Sequence, residues 1–197
     1  MDTDVIDALA GIKPGSALDA LRNRRPDARA QAQASYRALF APDVAGGVTA
    51  TERFAVAAFV SGLHGDAETA SFYAAGLTAG GASAELRGAI DAAIAAAKGH
   101  GPYGGYPAGP LNREDAAGPT YRVAAETRRA LGSRLAAAFA HMHLLVFHPR
   151  DAAPEALQAL LDAGWSTTDI VMLSQIAAFL SFQIRVVAGL RALAGAA

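Results

Sequence analysis

Apolar residues recur at intervals of three and four along this chain, and glycine and proline break the runs, so the pattern predicts a series of helices. Residues 2–10 make a short predicted helix that Gly11 and Pro14 end. Ser16 caps "ALDALRNRR", which stops at Pro26. Asp27 opens "ARAQAQASYRALF", where Ala32, Tyr36, Leu39 and Phe40 share a side until Pro42 and Gly46–Gly47 break the chain. In "TATERFAVAAFVSGL", Thr49 followed three residues later by Glu52 is a capping box: the hydroxyl takes a free N–H of the first turn and the carboxylate reaches back. Val56, Phe59, Val60 and Leu63 make its buried face. Gly65 ends that helix and Asp66 is placed to cap the next, "AETASFYAAGLTA"; Gly80–Gly81 and Ser83 separate it from "AELRGAIDAAIAAAK".

Residues 99–119, "GHGPYGGYPAGPLNREDAAGP", hold six glycines and four prolines in 21 residues, a composition that leaves no regular element. A long loop of this kind is a functional loop or a linker, and His100, Tyr103 and Tyr106 argue that it packs on something. A lid over a cleft, an arm on a neighbouring subunit and a plain connector all fit. Beyond it, Thr120, Val123, Ala124, Leu131, Leu135, Phe139, Met142, Leu145 and Val146 mark a long helix that stops before Pro149. Asp151 starts "APEALQALLDAG", which closes at Gly164. Ser166 then caps and Asp169 answers, ahead of a final helix that is apolar all round and so belongs at the centre or in a subunit interface. The same device at Thr49 and Ser166 is either a weak internal repeat or a coincidence.

Composition narrows the class. Alanine supplies much of the 52% apolar content, and alanine is the best helix former. Valine and isoleucine do not alternate, so the class is all-α, and 197 residues suffice for one sizeable core. Lys+Arg 17 against Asp+Glu 18, with no basic stripe, argues against a nucleic-acid partner. Arg22, Arg24 and Arg25 form the one cationic knot, read as a solvated helix end or as a phosphate site. The acidic N-terminus does not read as a signal peptide. The most apolar run, Ile170 to Ile184, is interrupted by Ser174, Gln175, Ser181 and Gln183, and reads as a buried core helix rather than a membrane anchor. The expected location is the cytoplasm. The absence of cysteine excludes disulfides, thiolate metal sites and cysteine nucleophiles.

"AGWSTTDIVMLSQIAAFLSFQIRVVAGLRAL" resembles the closing helix of the carboxymuconolactone decarboxylase and alkylhydroperoxidase D-like proteins, where an "AG(W/Y)S" turn leads into a helix bearing "F-x-F/N-x-x-R-V". Here Phe179, Phe182, Gln183, Arg185 and Val186 fill those places. "TATERFAVAAFVSGLHGDAETASFYAAGL" is similar to the family's "E-R-x-x-(V/I)-A…V-S…(N/H)-G-C-x-x-C-x-x-x-H" helix pair. The likeness covers roughly residues 48–80 and 130–195. It implies a six-helix all-α bundle assembled into trimers or hexamers, with a domain at 48–197 and an N-terminal helical extension at 1–47. The resemblance further implies that peroxidase-type members use the cysteine pair, relayed by a glutamate and a histidine. In this chain Asp66 and Thr69 stand for the cysteines, Tyr73 for the histidine and Phe54 for the glutamate. A carboxylate cannot cycle through a sulfenic acid and a hydroxyl cannot resolve one, so thiol peroxidase chemistry is absent from these positions.

Several residues remain as candidates for other chemistry. Asp66, flanked by His64 and Glu68, is an acid–base cluster or an N-cap. Glu52 inherits the relay position in a shifted register, or serves only its capping box. Tyr73 and Thr69 line the same hairpin. Arg185, inside an apolar helix, needs a pair or a pocket; Asp162, Asp169 and Glu52 are possible partners, and binding of a substrate carboxylate is the sharper reading. His141, His143 and His148 crowd one helix end; His141 and His148 share a face, but the spacing is not that of metal ligands. No metal and no cofactor is expected. Two expected functions follow: a non-catalytic homo-oligomer (dimer, trimer or hexamer), linked to antioxidant defence as scaffold or partner of a cysteine-containing paralogue, or a non-thiol enzyme acting on a small organic acid or lactone. No membrane partner is expected.

Overall fold

The structure, a computed structural model, describes residues 3–44 and 46–195. Among these it is all-helical and has no strand; Gly104 and Ala116 alone form an isolated antiparallel bridge. The first three helices are α1 (Val5–Ala10), α2 (Ala17–Asn23) and α3 (Pro26–Phe40). Asp4 caps α1 by accepting from the Ile6 and Asp7 amides. The predicted start of that helix, at residue 2, lies outside the described residues. Pro26 occupies the first turn of α3, one residue earlier than the predicted Asp27, because its fixed φ suits a position whose N–H has no helical partner.

The bundle proper comprises α4 (Ala50–His64), α5 (Ala67–Ala79), α6 (Ala84–Ala96), α7 (Ala125–Phe147), α8 (Pro154–Asp162) and α9 (Thr167–Gly195). Central α4 packs on α5, α6, α7 and α9. It is buried almost all round, from Ala55 through Ser61, and its small residues let neighbours approach. At Gly62 a Cβ would lie 2.7 Å from Ile94 on α6. Phe59 of α4 stacks on Phe139 of α7, with ring centroids 4.2 Å apart. The three N-terminal helices lean on α9 and α4. Leu39 and Phe40 join the main core, while Val5, Ile6, Leu9 and Ala32 close a second cluster with Val187 and Leu190.

The two capping boxes form as the sequence predicts. The Glu52 amide donates to Thr49 Oγ1 (3.2 Å) and the Thr49 amide to Glu52 (2.9 Å); Ser166 and Asp169 exchange the same pair of bonds. The fold also sets them side by side. Arg134 of α7 donates to Glu52 Oε1 (2.9 Å), to the Gly164 carbonyl and to the Gly47 carbonyl, and lies 3.8 Å over the Trp165 ring. Asp169 abuts Gly47 so closely that any side chain there would overlap it. The start of α4 and the start of α9 are thus one joint, clamped by a single guanidinium.

Three predicted elements differ. Residues 120–124 are extended, not helical, and Gly132 (φ 76°, ψ 167°) splits α7 into two helical segments. Apolar spacing alone does not register such a break; glycine is what permits it. Asp151 does not start α8, which begins at Pro154 without a side-chain cap; Asp151 instead pairs with His148. The 99–119 segment is more ordered than its composition suggests. It carries a 3-10 turn at Pro110–Glu114 and the bridge just noted, and it is pinned to the end of α7 by the Tyr103 amide donating to the Phe147 carbonyl.

Helices α7 and α9 are each long and apolar enough to cross a membrane by length and composition, and half of each one's most apolar window is buried inside the bundle. The final helix therefore extends well beyond the run Ile170 to Ile184 that reads as its core in the sequence.

Candidate functional site

The α4–α5 hairpin builds its turn on Gly65, whose φ of 73° lies in the left-handed region that glycine enters without a Cβ penalty. Asp66 follows as the N-cap of α5 and accepts from the Thr69 amide at 2.8 Å. Its second oxygen accepts from Arg191 of α9 at 3.2 Å. That guanidinium also pairs with Glu68 and donates to the Leu9 carbonyl (2.7 Å), so one side chain ties α1, α5 and α9 together. Burial raises the Asp66 carboxyl, but hydrogen bonding from Thr69 and the Arg191 charge outweigh it, and the group titrates below the ordinary carboxylate value.

Thr69 and Tyr73 lie one turn apart on the inner face of α5, and both are fully buried. The Tyr73 hydroxyl donates to Gln183 Oε1 of α9 at 2.7 Å. Around it pack Phe40 (ring centroids 4.9 Å), Phe72 (5.1 Å, edge-on) and Phe54 (6.4 Å). Phe54 presses on Gly76 of α5, where any Cβ would overlap its ring. Burial pushes the Tyr73 phenol far above its usual range, and the group stays protonated. His64, half-buried, has Nε2 3.2 Å from Ser181 Oγ. Burial, then the Arg185 charge, depress its pKa and favour the neutral ring.

Arg185 does not behave as its apolar helix suggests. It is exposed on α9 and donates to the Ser181 carbonyl of its own helix at 2.7 Å. None of the expected partners meets it: Glu52 holds Arg134, Asp169 holds the Ser166 amide, and Asp162 accepts from Gln158. Glu52 sits at the opposite end of α4 from His64. Apart from Arg185, the candidate residues thus divide between two places. Asp66, Thr69, Tyr73 and His64 gather where α5 meets α9, and Glu52 belongs to the Arg134 joint.

The cationic knot also divides. Arg22 is not solvated: it pairs with Asp4 at 2.7 Å and with Asp7, leaving Arg24 and Arg25 exposed. The three histidines are all buried. His148 bridges Asp151 and the Pro119 carbonyl, at 2.9 Å each, and stacks near Tyr103. His143 lies between Tyr121 and Phe147, its pKa pushed down to about 4 by burial and then by His148. Among the described residues no group of three or more His, Asp or Glu side chains is placed to hold a metal ion.

Arg134, Arg191, Gln183 and Arg53 are residues whose roles the sequence pattern does not reveal. Arg53 is buried on α4, donating to the Val48 carbonyl (2.9 Å) and the Leu39 carbonyl (2.7 Å). Arg53 follows Glu52 in the sequence and lacks the signal of a charge flanked by apolar residues, whereas Arg185, flanked by Ile184 and Val186, carries it and is exposed. Compared with protein-family models, with curated proteins and with solved structures, the chain matches none.

Proposed function

We propose that the protein is a non-catalytic, cysteine-less relative of the carboxymuconolactone decarboxylase and alkylhydroperoxidase D-like proteins. It serves in the cytoplasm as a self-assembling scaffold or as partner to a cysteine-containing paralogue in antioxidant defence. The observation that carries this reading is the state of the hairpin. Asp66 is spent on a helix cap and an ion pair, and Tyr73 is sealed among three phenylalanines with its one hydroxyl bonded to Gln183. Neither group is free to attack or to transfer a proton to a substrate. The alternative, non-thiol chemistry on a small acid or lactone, needs Asp66, Tyr73 and Arg185 around one substrate; Arg185 is exposed and bonded back to the Ser181 carbonyl, while Tyr73 is sealed in the core.

Self-assembly draws support from the outer face of α9. Val171, Phe182 and Leu193 follow one another at eleven-residue intervals, about three helical turns, and are 56%, 47% and 51% exposed. Apolar side chains aligned on one face mark an interface more often than single scattered ones do. Light scattering after size-exclusion chromatography tests the assembly: the wild type is expected as a defined oligomer and Phe182→Glu as a smaller species. A wild-type monomer at micromolar concentration contradicts it.

A further inference from the structure

A groove of about 560 Å³ runs between α7, α8 and the extended segment before α7, on ground the hairpin does not touch. Its origin is compositional. Ala136, Ala137 and Ala140 of α7 face Ala156 and Ala159 of α8 and Ala163 just past its end, so the two helices meet over methyl groups and leave space between them. The volume is in the range of small-ligand sites. Small residues alone do not make a site, but His141 lines this groove, is only 6% exposed, and has no hydrogen-bond partner at either ring nitrogen. A buried imidazole without partners is costly to the fold, and a ligand hydrogen-bonding group would satisfy it.

The charges around the groove select the ligand. Arg122 and Arg128 line it, both exposed, and neither guanidinium has an ion pair or hydrogen bond among the described residues. Asp162 is the one acid in the lining, and Gln158 already engages it at 2.8 Å. The break at Gly132 makes Ser133 the first residue of the second α7 segment, and Ser133 also lines the groove, so the positive end of that helix dipole adds to the two arginines. Tyr121 closes one end with its ring, its phenol kept protonated by burial.

We propose that this groove binds a monocarboxylate with an apolar body, the carboxylate drawn in by Arg122 and Arg128 and accepting from the ring N–H of His141, and the chain or ring over the alanine floor. Guanidinium groups pair carboxylates in a planar fork, and an unbranched or aromatic body fits a floor that offers methyls and no deep hydrogen-bonding wall. The inference does not depend on the reading of the hairpin.

Octanoate titrated into the full-length protein, followed by calorimetry and by the imidazole ¹H–¹⁵N resonances, tests it. Saturable one-site binding is expected, with the His141 ring nitrogens shifting. The double variant R122Q/R128Q, which changes only exposed side chains, is expected to bind about three- to tenfold more weakly, the modest loss that exposed charge pairs produce. Octanol, with the same body and no charge, is expected to bind more weakly than octanoate. Ala140→Phe, which fills the groove, is expected to abolish binding while leaving the circular dichroism spectrum intact. Failure of octanoate to saturate, a His141 ring that does not respond, or affinity unchanged in R122Q/R128Q overturns the proposal. Saturable binding of inorganic phosphate as tight as that of octanoate overturns the apolar body. An oligomer that A140F splits into monomers assigns the groove to a second copy of the chain and overturns the ligand site.

Discussion

Arg191 reaches from the last helix to within 3.2 Å of the Asp66 carboxylate, closing α9 onto the first turn of α5. The carboxylate is thereby satisfied twice, by the Thr69 amide at one oxygen and by the guanidinium at the other. Asp66→Ala is expected to lose about 1–2 kcal/mol, the range for removing an N-cap. Asp66→Asn keeps a capping oxygen and is expected to lose roughly half as much. Urea unfolding of the three proteins measures it.

The same carboxylate gives the fold an acid-side dependence. Its pKa is lower in the folded chain than the ordinary 3.8, so its contribution is fully present above that value. It is lost as pH falls through the lowered one, because the unfolded state binds the proton more readily. The wild type is expected to lose more stability than Asp66→Asn between pH 5 and the acid transition, in denaturant melts across that range. Equal losses contradict the assignment.

Tyr73→Phe is expected to cost about 1–3 kcal/mol, because the fully buried Gln183 keeps an acceptor with no donor. The double variant with Gln183→Met removes both polar partners and is expected to recover most of that loss. Additive losses in the double-mutant cycle contradict the pairing.

How much of this was legible beforehand follows from the range of each interaction. The caps at Thr49, Asp66 and Ser166 are local, with donor and acceptor within three residues, and spacing reveals them. The all-helical class follows from apolar periodicity and alanine content. Arg134 clamping two loops 87 and 30 residues away, and Arg191 reaching Leu9 across 182 residues, are products of folding and leave no trace in spacing. Arg185 illustrates the opposite error: a charge among apolar residues suggests burial, yet on a helix half exposed it simply marks the outer face.

Gly76→Ala is expected to destabilise by about 1–3 kcal/mol, although alanine is the better helix former by about 1 kcal/mol. The added methyl would overlap the Phe54 ring. Phe54→Leu in the same chain is expected to relieve part of the loss, read as a rise in thermal midpoint of the double variant over Gly76→Ala. Gly88→Ala, where nothing lies within 4 Å of the new methyl, is expected to be neutral or stabilising.

His148→Ala is expected to release the segment from 103 to 119, since the imidazole joins the Pro119 carbonyl to Asp151, which in turn accepts from the Gly105 amide. Trypsin cleavage after Arg113, followed by mass spectrometry, is expected to accelerate while cleavage within the bundle helices does not. An unchanged pattern contradicts the clasp.

The central claim, that the α4–α5 hairpin holds structure and performs no chemistry, is tested most directly by turnover. The purified protein is assayed for peroxide reduction with an added dithiol, and beside it for decarboxylation of a small lactone acid. The account expects rates equal to the buffer control in both. Saturable turnover that Asp66→Asn or Tyr73→Phe abolishes, with the fold intact, contradicts it.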